Sequence, residues 1–191
     1  IKEKHGPVAL IQVDAHADTN ANMFGEETAH GCPFRRAYED GCLINDKVFQ
    51  IGLRGTGYAP EDFDWGRKKG WKIIPAEACW HKSLTPLMFK IREIIGDTKV
   101  YLTFDIDSLD PAFAPGTGTA EIGGLTVMQG IEIVRGCCGL NIVGADLVEV
   151  SPAYDHSGNT SVAGASLLFE MLCALPGVQR ERETPMTDIS F

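Results

Sequence analysis

Short apolar runs recur along the chain, and amphipathic or polar stretches separate them. This alternation is typical of βα units whose parallel strands form a single sheet. The predicted strands, in chain order, are Val8–Val13, Lys47–Ile51, Lys72–Ile74, Val100–Phe104 and Ile142–Asp146. The predicted helices are Pro33–Tyr38, Leu84–Ile95, Val127–Arg135 and Thr160–Leu175. Thr126, followed three positions later by Gln129, predicts a capping box at the start of the third helix.

The composition narrows the class of protein. A chain of 191 residues with 44% hydrophobic content is long enough for one α/β domain, predicted over residues 1–176, with a polar tail at 177–191. The net charge of −9 and the dispersed lysines and arginines argue against a nucleic-acid-binding surface. No apolar run is long enough to span a bilayer, and the first residues, IKEKHG, are typical of neither a signal peptide nor a transit peptide. The six cysteines include no CxxC pair, so we expect reduced thiols.

Acidic residues directly follow two of the predicted strands. In VALIQVDAHAD the apolar run ends at Asp14, and His16 and Asp18 follow at every second position. In VYLTFDIDSLDP the run ends at Asp105, with Asp107 two residues later. Residues two apart lie on one side of an extended chain. Because parallel strands bring their carboxyl ends to one crevice, we expect the two motifs to converge there.

This concentration of acidic groups predicts a metal site. Several carboxylates in one pocket of low dielectric need a compensating cation, since they otherwise repel each other and take up protons. The available ligand atoms are carboxylate oxygens and an imidazole nitrogen, without a thiolate, which favours a hard divalent ion such as Mn²⁺. Carboxylates shared between two ions are typical of a hydrolytic two-metal site. The alternative is structural, because Asp and His after a strand often cap the following turn.

Other polar residues are candidates for the same crevice. His30, in HGCPFRR, precedes a predicted helix, and Glu149, in ADLVEVSP, follows the last predicted strand. Their alternative roles are a solvated loop histidine and a salt-bridged strand terminus. Asp146 lies within the last strand, where it either faces the crevice or supports a ligand. Asp110, followed by Pro111, is predicted to be a turn residue.

Four motifs in this order, DAHAD, HGCPFRR, FDIDSLDPAFAPGTGT and DLVEVSPAYDHSGNT, resemble those of the ureohydrolase family of arginases and agmatinases. The resemblance covers nearly the whole chain, from about Val8 to Leu175. It implies a three-layer α/β/α fold with a mainly parallel sheet. It also implies a binuclear manganese centre that hydrolyses a guanidinium group to urea and an amine.

The resemblance assigns a role in metal binding to five residues of the two acidic motifs. Asp14 and Asp105 would bridge the two manganese ions. Asp18 would bind one ion, and His16 with Asp107 would bind the other.

The resemblance extends to the substrate. His30 matches the family's proton-shuttle histidine, and Glu149 matches the carboxylate that receives the substrate guanidinium. The stretch NMFGEETAHG is similar to animal agmatinases rather than to the Ser/Asn-rich loop of arginases, which implies hydrolysis of agmatine to putrescine and urea in polyamine biosynthesis. Glu26 and Glu27 would disfavour a substrate carboxylate if they faced the pocket. Another guanidino compound, such as guanidinobutyrate, is the alternative substrate.

The main departure of the sequence from the family pattern concerns a metal ligand. The family has an upstream strand ending in a Gly-Gly-Asp-His motif whose histidine is a further manganese ligand, and this sequence does not contain that motif. We therefore expect an N-terminally incomplete fold with an exposed strand edge and exposed apolar surface. A catalytically impaired form with a binding or regulatory role is an alternative function. The resemblance also implies a homo-oligomer and a mitochondrial location, with the cytoplasm as the alternative.

Overall fold

A single sheet forms the centre of the fold in the computed structural model, which describes residues 1–55, 57 and 62–179. Its strands in the described residues are β1 (Val8–Val13), β2 (Leu43–Leu53), β3 (Lys72–Pro75), β4 (Lys99–Asp105) and β5 (Asn141–Val148). They are all parallel, in the spatial order β3-β2-β1-β4-β5. The helices are α1 (Lys2–His5), α2 (Pro33–Glu39), α3 (Asp62–Lys68), α4 (Thr85–Ile95), α5 (Val127–Gly136) and α6 (Asn159–Ala174). The predicted α/β class is confirmed.

Most of the predicted elements have nearly the predicted bounds. β1 matches in full, and the capping box of α5 forms, with Thr126 and Gln129 each accepting from the other's backbone N–H. β2 begins four residues earlier than predicted, because Leu43 pairs with Val8 of β1 ahead of an irregularity in the register. The sequence pattern predicts neither α1 nor α3, which are short and lack a continuous apolar face. The predicted tail at 177–191 lies outside the described residues from position 180 onward.

Helices cover the two faces of the sheet, so the chain has the predicted three layers. α4, α5 and α6 pack on one face over a large apolar core that includes Ile11, Phe104 and Ile133. α2 and α3 lie on the other face over a smaller cluster around Leu10 and Trp71. Every residue of β1 is buried, as expected for a central strand covered on both sides.

The sheet has a topological switch point beside β1. The chain builds β2 and β3 on one side of β1 and then returns to place β4 and β5 on the other side. Open α/β sheets form their binding crevice at the carboxyl ends of the strands at such a switch. Val13 of β1 is in register with Phe104 of β4. The residues that follow them, Asp14 and Asp105, therefore leave the sheet side by side.

The last strand, β5, lies at an edge of the sheet. A groove of about 740 Å³ extends along α2, β1, β4 and β5, and its lining includes Tyr101, Asp146 and Val148. The hydroxyls of Tyr101 and Thr103 donate to the Asp146 carboxylate at 2.5 and 2.6 Å. At the end of this edge strand, Val148 is 41% exposed. In the described part of the chain no helix has the length and apolar character needed to cross a membrane, and all six cysteines are free thiols.

Candidate metal centre

The end of β1 turns sharply at the first acidic motif. The Asp14 carboxylate accepts a hydrogen bond from the backbone N–H of His16 at 2.7 Å, which is the local turn that Asp favours. Its other oxygen accepts from the side chain of Gln12 at 2.8 Å. Both contacts fix the orientation of a carboxylate that is only 3% exposed.

The end of β4 makes the same kind of turn. The Asp105 carboxylate accepts from the backbone N–H of Asp107 at 2.8 Å. The strand ends at Asp105, and Asp107 belongs to a 3₁₀ turn, Ile106–Ser108. The expectation that the two aspartates share one side of an extended segment is therefore wrong, because the Asp105 side chain bonds to the following backbone and closes the turn. Asp107 nevertheless reaches the other motif, accepting from the backbone N–H of Ala15 at 3.2 Å.

Three side chains from the two strand ends form a group that could hold a metal ion. One ligand atom from each of Asp14, His16 and Asp107 lies within 4.8 Å of the others. His16 Nδ1 is 3.0 Å from Asp107 Oδ2 and 3.6 Å from Asp14 Oδ1. Thr119 Oγ1 donates to the same Asp107 oxygen at 2.9 Å. The convergence of the two motifs follows from the register of β1 and β4.

The pKa values of these groups reflect their burial and the charges beside them. Burial, with the charge of Asp107, raises the pKa of Asp14 to about 6. Burial, with the charges of Asp14 and Asp107, raises the pKa of Asp105 to about 11. Burial alone would raise the pKa of Asp107 and lower that of His16, but their mutual hydrogen bond and attraction reverse both shifts. All the carboxyl groups of the site can be ionised together only if a cation adds to the positive charge of His16.

The donor set and its charge fit a divalent metal ion. Oxygen and imidazole ligands with no thiolate are those of hard or borderline ions such as Mn²⁺. A divalent cation would supply the missing charge and allow the buried carboxylates to ionise. The residues present therefore fit the metal that the sequence predicts.

A pocket of about 300 Å³ opens above this group. Its lining includes six of the seven predicted site residues, namely His16, Asp18, His30, Asp105, Asp107 and Glu149. Asp14 lies beneath it and lines the adjoining groove. The structure thus brings all seven predicted residues to one region at the carboxyl edge of the sheet.

Two acidic residues of this pocket have unusual backbone angles. Asp18 and Glu149 have φ values of 53° and 64°, the left-handed region that residues other than glycine rarely adopt. Such backbone is concentrated at functional sites, where the surrounding structure holds it in place. Burial, followed by the charge of Asp14, raises the pKa of Asp18 to about 8.

Two other predicted features lie away from the pocket or have structural roles. Glu26 and Glu27 are exposed and do not line the pocket, and Glu27 pairs with Arg36, so the argument that they repel a substrate carboxylate is unsupported. Asp110 accepts from the backbone N–H groups of Ala112, Gly123 and Gly124. Its prediction as a turn residue is confirmed.

Sequence reasoning missed a pair of glutamines beneath the site. Gln50 of β2 is in register with Gln12 of β1, and each is 1% exposed. The Gln50 side chain donates to the side-chain amide oxygen of Gln12 at 2.6 Å, and the Gln12 side chain donates to the Asp14 carboxylate. A lone glutamine directly before the last residue of each predicted apolar strand is the signal that would have identified them.

Asp155, inside the last motif, is another missed residue. Its carboxylate accepts from the backbone N–H groups of Ser157, Gly158 and Thr160, at the start of α6. Thr160 Oγ1 in turn accepts from the N–H of Gly116, in the loop that follows Asp107. Asp155 therefore fixes the start of α6, and Thr160 connects that helix to the loop after Asp107.

Comparison with known proteins agrees with this geometry. The family model described as the arginase family matches residues 1–173. The chain is 63% identical to guanidinobutyrase of Pseudomonas aeruginosa over 94% of this chain and 56% of that protein, and 59% identical to mitochondrial agmatinase of Gallus gallus over 94% and 53%. The structure of proclavaminate amidino hydrolase from Streptomyces clavuligerus matches with a TM-score of 0.85 at 38% identity, over 90% of this chain and 57% of that one.

The matches cover most of this chain but only part of the relatives. The chain spans about half the length of the curated relatives it matches, whereas the family model covers nearly all of the chain. The motifs of the two strand ends and of the pocket all lie within the matched residues. The chain belongs to the arginase family.

Proposed function

We propose that this chain carries the catalytic site of a manganese-dependent ureohydrolase that hydrolyses the guanidinium group of agmatine to putrescine and urea. The observation that supports this most strongly is the convergence of Asp14, His16, Asp105 and Asp107 beneath one small pocket whose lining includes Glu149. The buried carboxylates support a metal site, and the accessible carboxylate of Glu149 supports a cationic substrate.

The residues at the two strand ends would hold the metal. Asp14 and Asp105 would be shared between two ions, Asp18 would bind one, and His16 and Asp107 would bind the other. When bound, the ions supply a nucleophile derived from water near neutral pH.

The remaining polar groups of the pocket would bind the substrate and move the proton. Glu149 would accept paired, charge-assisted hydrogen bonds from the planar guanidinium, which fixes its orientation above the buried carboxylates. His30, at the pocket surface, would transfer a proton to the departing amine nitrogen. The pocket volume of about 300 Å³ suits a small linear molecule.

Agmatine is the preferred substrate because of the charge of the pocket. Asp62 of α3 also lines it, so a tail with an amine is favoured over a tail with a carboxylate. Guanidinobutyrate is the second candidate, because the relative from Pseudomonas aeruginosa is named for it. A mitochondrial location, suggested by the name of the Gallus gallus relative, and a homo-oligomeric assembly complete the proposal.

A substrate panel tests the proposal. The purified chain, shown to be folded by circular dichroism, is loaded with Mn²⁺, and urea release is measured from agmatine, guanidinobutyrate and arginine. We expect turnover of agmatine in preference to the other two. The Asp105→Asn variant should release no urea, while the matched variant Asp97→Asn, at an exposed position, should match the wild type.

Each outcome has a distinct meaning. Turnover of guanidinobutyrate alone would replace the substrate and keep the reaction. Urea release undiminished by Asp105→Asn would contradict the metal site. A folded, metal-loaded chain that hydrolyses none of the panel would contradict the catalytic proposal and support the impaired, ligand-binding form.

A further inference from the structure

Arg54 occupies an unusual position directly after β2. Its guanidinium is partly buried, and every hydrogen bond described for it goes to a backbone carbonyl oxygen. The acceptors are the carbonyls of Gly52, Asp107, Ser108, Leu109, Glu121 and Ile122. Since these acceptors are neutral, the side chain joins segments of backbone rather than forming an ion pair.

The segments that Arg54 joins are those that carry one candidate metal ligand and its support. Nη2 donates to the carbonyl of Asp107 at 2.7 Å and to that of Glu121 at 2.6 Å. Thr119, two residues before Glu121, donates to the Asp107 carboxylate at 2.9 Å. Arg54 therefore fixes the backbone of Asp107 and also the loop that bonds to its side chain.

The loop is built closely around the guanidinium. A Cβ atom at Gly124 would lie 2.5 Å from Arg54 Nη2 and 2.5 Å from the backbone nitrogen of Asp110. No side chain fits there, so the loop approaches the guanidinium only with glycine at this position. Asp110 holds the same glycine by its N–H at 3.0 Å. The guanidinium therefore lies between two closely packed stretches of backbone, one at Leu109 and Asp110 and the other at Gly124.

The chemistry of this position requires arginine in particular. A guanidinium has five N–H donors in a rigid plane, and here they reach carbonyls on three segments. A lysine has the same charge but three donors on one nitrogen. It cannot bond to the Asp107 turn and to the 121–122 segment in the same way.

We propose that Arg54 is a positioning residue that holds Asp107 and Thr119 in the arrangement that binds metal. The inference rests on the proposed metal site and names a residue outside it. Groups that orient metal ligands typically change metal affinity about 10- to 100-fold when they are replaced.

The test compares Arg54→Lys with the wild-type chain and with Arg67→Lys. Arg67 lies on α3, is 51% exposed and pairs with Asp64, so it is a matched control for an Arg-to-Lys change. We expect Arg54→Lys to weaken Mn²⁺ binding, measured by calorimetric titration, by about 10- to 100-fold. Urea release should fall at low Mn²⁺ and recover as Mn²⁺ is raised, whereas Arg67→Lys should behave as the wild type.

A second variant separates positioning from a general loss of stability. Thr119→Val removes the hydroxyl that bonds to Asp107 and leaves Arg54 in place. If Arg54 acts through this loop, the double variant should lose less Mn²⁺ affinity than the product of the two single losses. Thr119→Val alone should also weaken Mn²⁺ binding, which tests the loop even if Arg54→Lys fails to fold.

The contrary outcomes are distinct. Wild-type Mn²⁺ affinity in Arg54→Lys, or fully independent effects of the two substitutions, would overturn the positioning role. Wild-type affinity in Thr119→Val would also overturn it. Absence of Mn²⁺ binding by the folded wild-type chain would instead refute the proposed function, and the inference with it.

Discussion

The floor and the rim of the pocket are built differently. On the floor, Asp14, Asp105 and Asp107 are 3%, 6% and 1% exposed, and backbone N–H groups and neighbouring side chains bond to their carboxylates. On the rim, His30 and Glu149 are exposed and lie on loops. The floor is attached to the central strands of the sheet, where pairing and packing leave little freedom.

The difference indicates separate roles, with the floor suited to metal binding and the rim to substrate binding. A site that binds a multivalent ion needs several ligands in fixed positions, which strand ends at a switch point provide. Substrate recognition requires access from solvent, and loops around such a crevice supply it. We therefore expect changes on the floor to abolish metal binding and changes on the rim to alter turnover while metal binding is retained.

The largest effect is expected from Asp105→Asn on the floor. With the wild type, Mn²⁺ should raise the thermal unfolding temperature, since it binds only the folded state. The variant should lose this increase. In EDTA the variant should be as stable as the wild type, because burial already disfavours the charged form of Asp105. Thermal unfolding by circular dichroism, with and without Mn²⁺, distinguishes these cases. An equal loss of stability in both conditions would give Asp105 a purely structural role.

His30→Asn on the rim should have the next largest effect. Removal of a positioned proton donor typically lowers kcat by about 10²- to 10⁴-fold. Mn²⁺ affinity should not change, because His30 is exposed and outside the group of Asp14, His16 and Asp107. Steady-state urea release and a Mn²⁺ titration measure the two properties separately. His81→Asn, at an exposed histidine outside the pocket lining, is the control.

Glu149→Gln should have a smaller effect, confined to substrate binding and orientation. A hydrogen bond to a charged group contributes about 1.5–3 kcal/mol, which predicts a decrease in kcat/KM of about 10- to 100-fold. Mn²⁺ affinity should be that of the wild type, and Glu93→Gln, on the exposed side of α4, should be silent. A variant that loses Mn²⁺ instead would place Glu149 on the floor, as a metal ligand.

The smallest effect is expected at Asp155, which fixes the start of α6 and lies outside the pocket lining. Its hydrogen bonds from Ser157 and the N–H of Thr160 hold its pKa below the ordinary value of 3.8. Because the folded-state pKa is depressed, the carboxylate stabilises the fold above that pH and loses its contribution as the pH falls below it. Asp155→Asn should therefore unfold at lower urea concentration than the wild type at pH 7, with a smaller difference at pH 3. A difference that does not depend on pH would assign the effect to packing.

The floor could be predicted from the sequence and the rim only in part. Apolar runs that end in DAHAD and FDIDSLDP predict the strands and, because the carboxyl ends of parallel strands converge, the candidate metal ligands. The left-handed backbone of Glu149 has no signal in sequence, because the residue is not glycine. The position of Arg54 is equally hidden, since its carbonyl partners are up to 68 residues away along the chain. The helix α3 was missed because its tertiary contact, Trp65 against Tyr38 and Trp71, stabilises it more than its own pattern.

The account depends most directly on metal binding by the strand-end carboxylates. The decisive measurement is a calorimetric titration of the metal-free, folded wild-type chain with Mn²⁺, repeated with Asp105→Asn and Asp97→Asn. We predict binding by the wild type and by Asp97→Asn, and none by Asp105→Asn. If the wild type binds no Mn²⁺, or if Asp105→Asn binds it with unchanged affinity, the proposed metal centre is wrong.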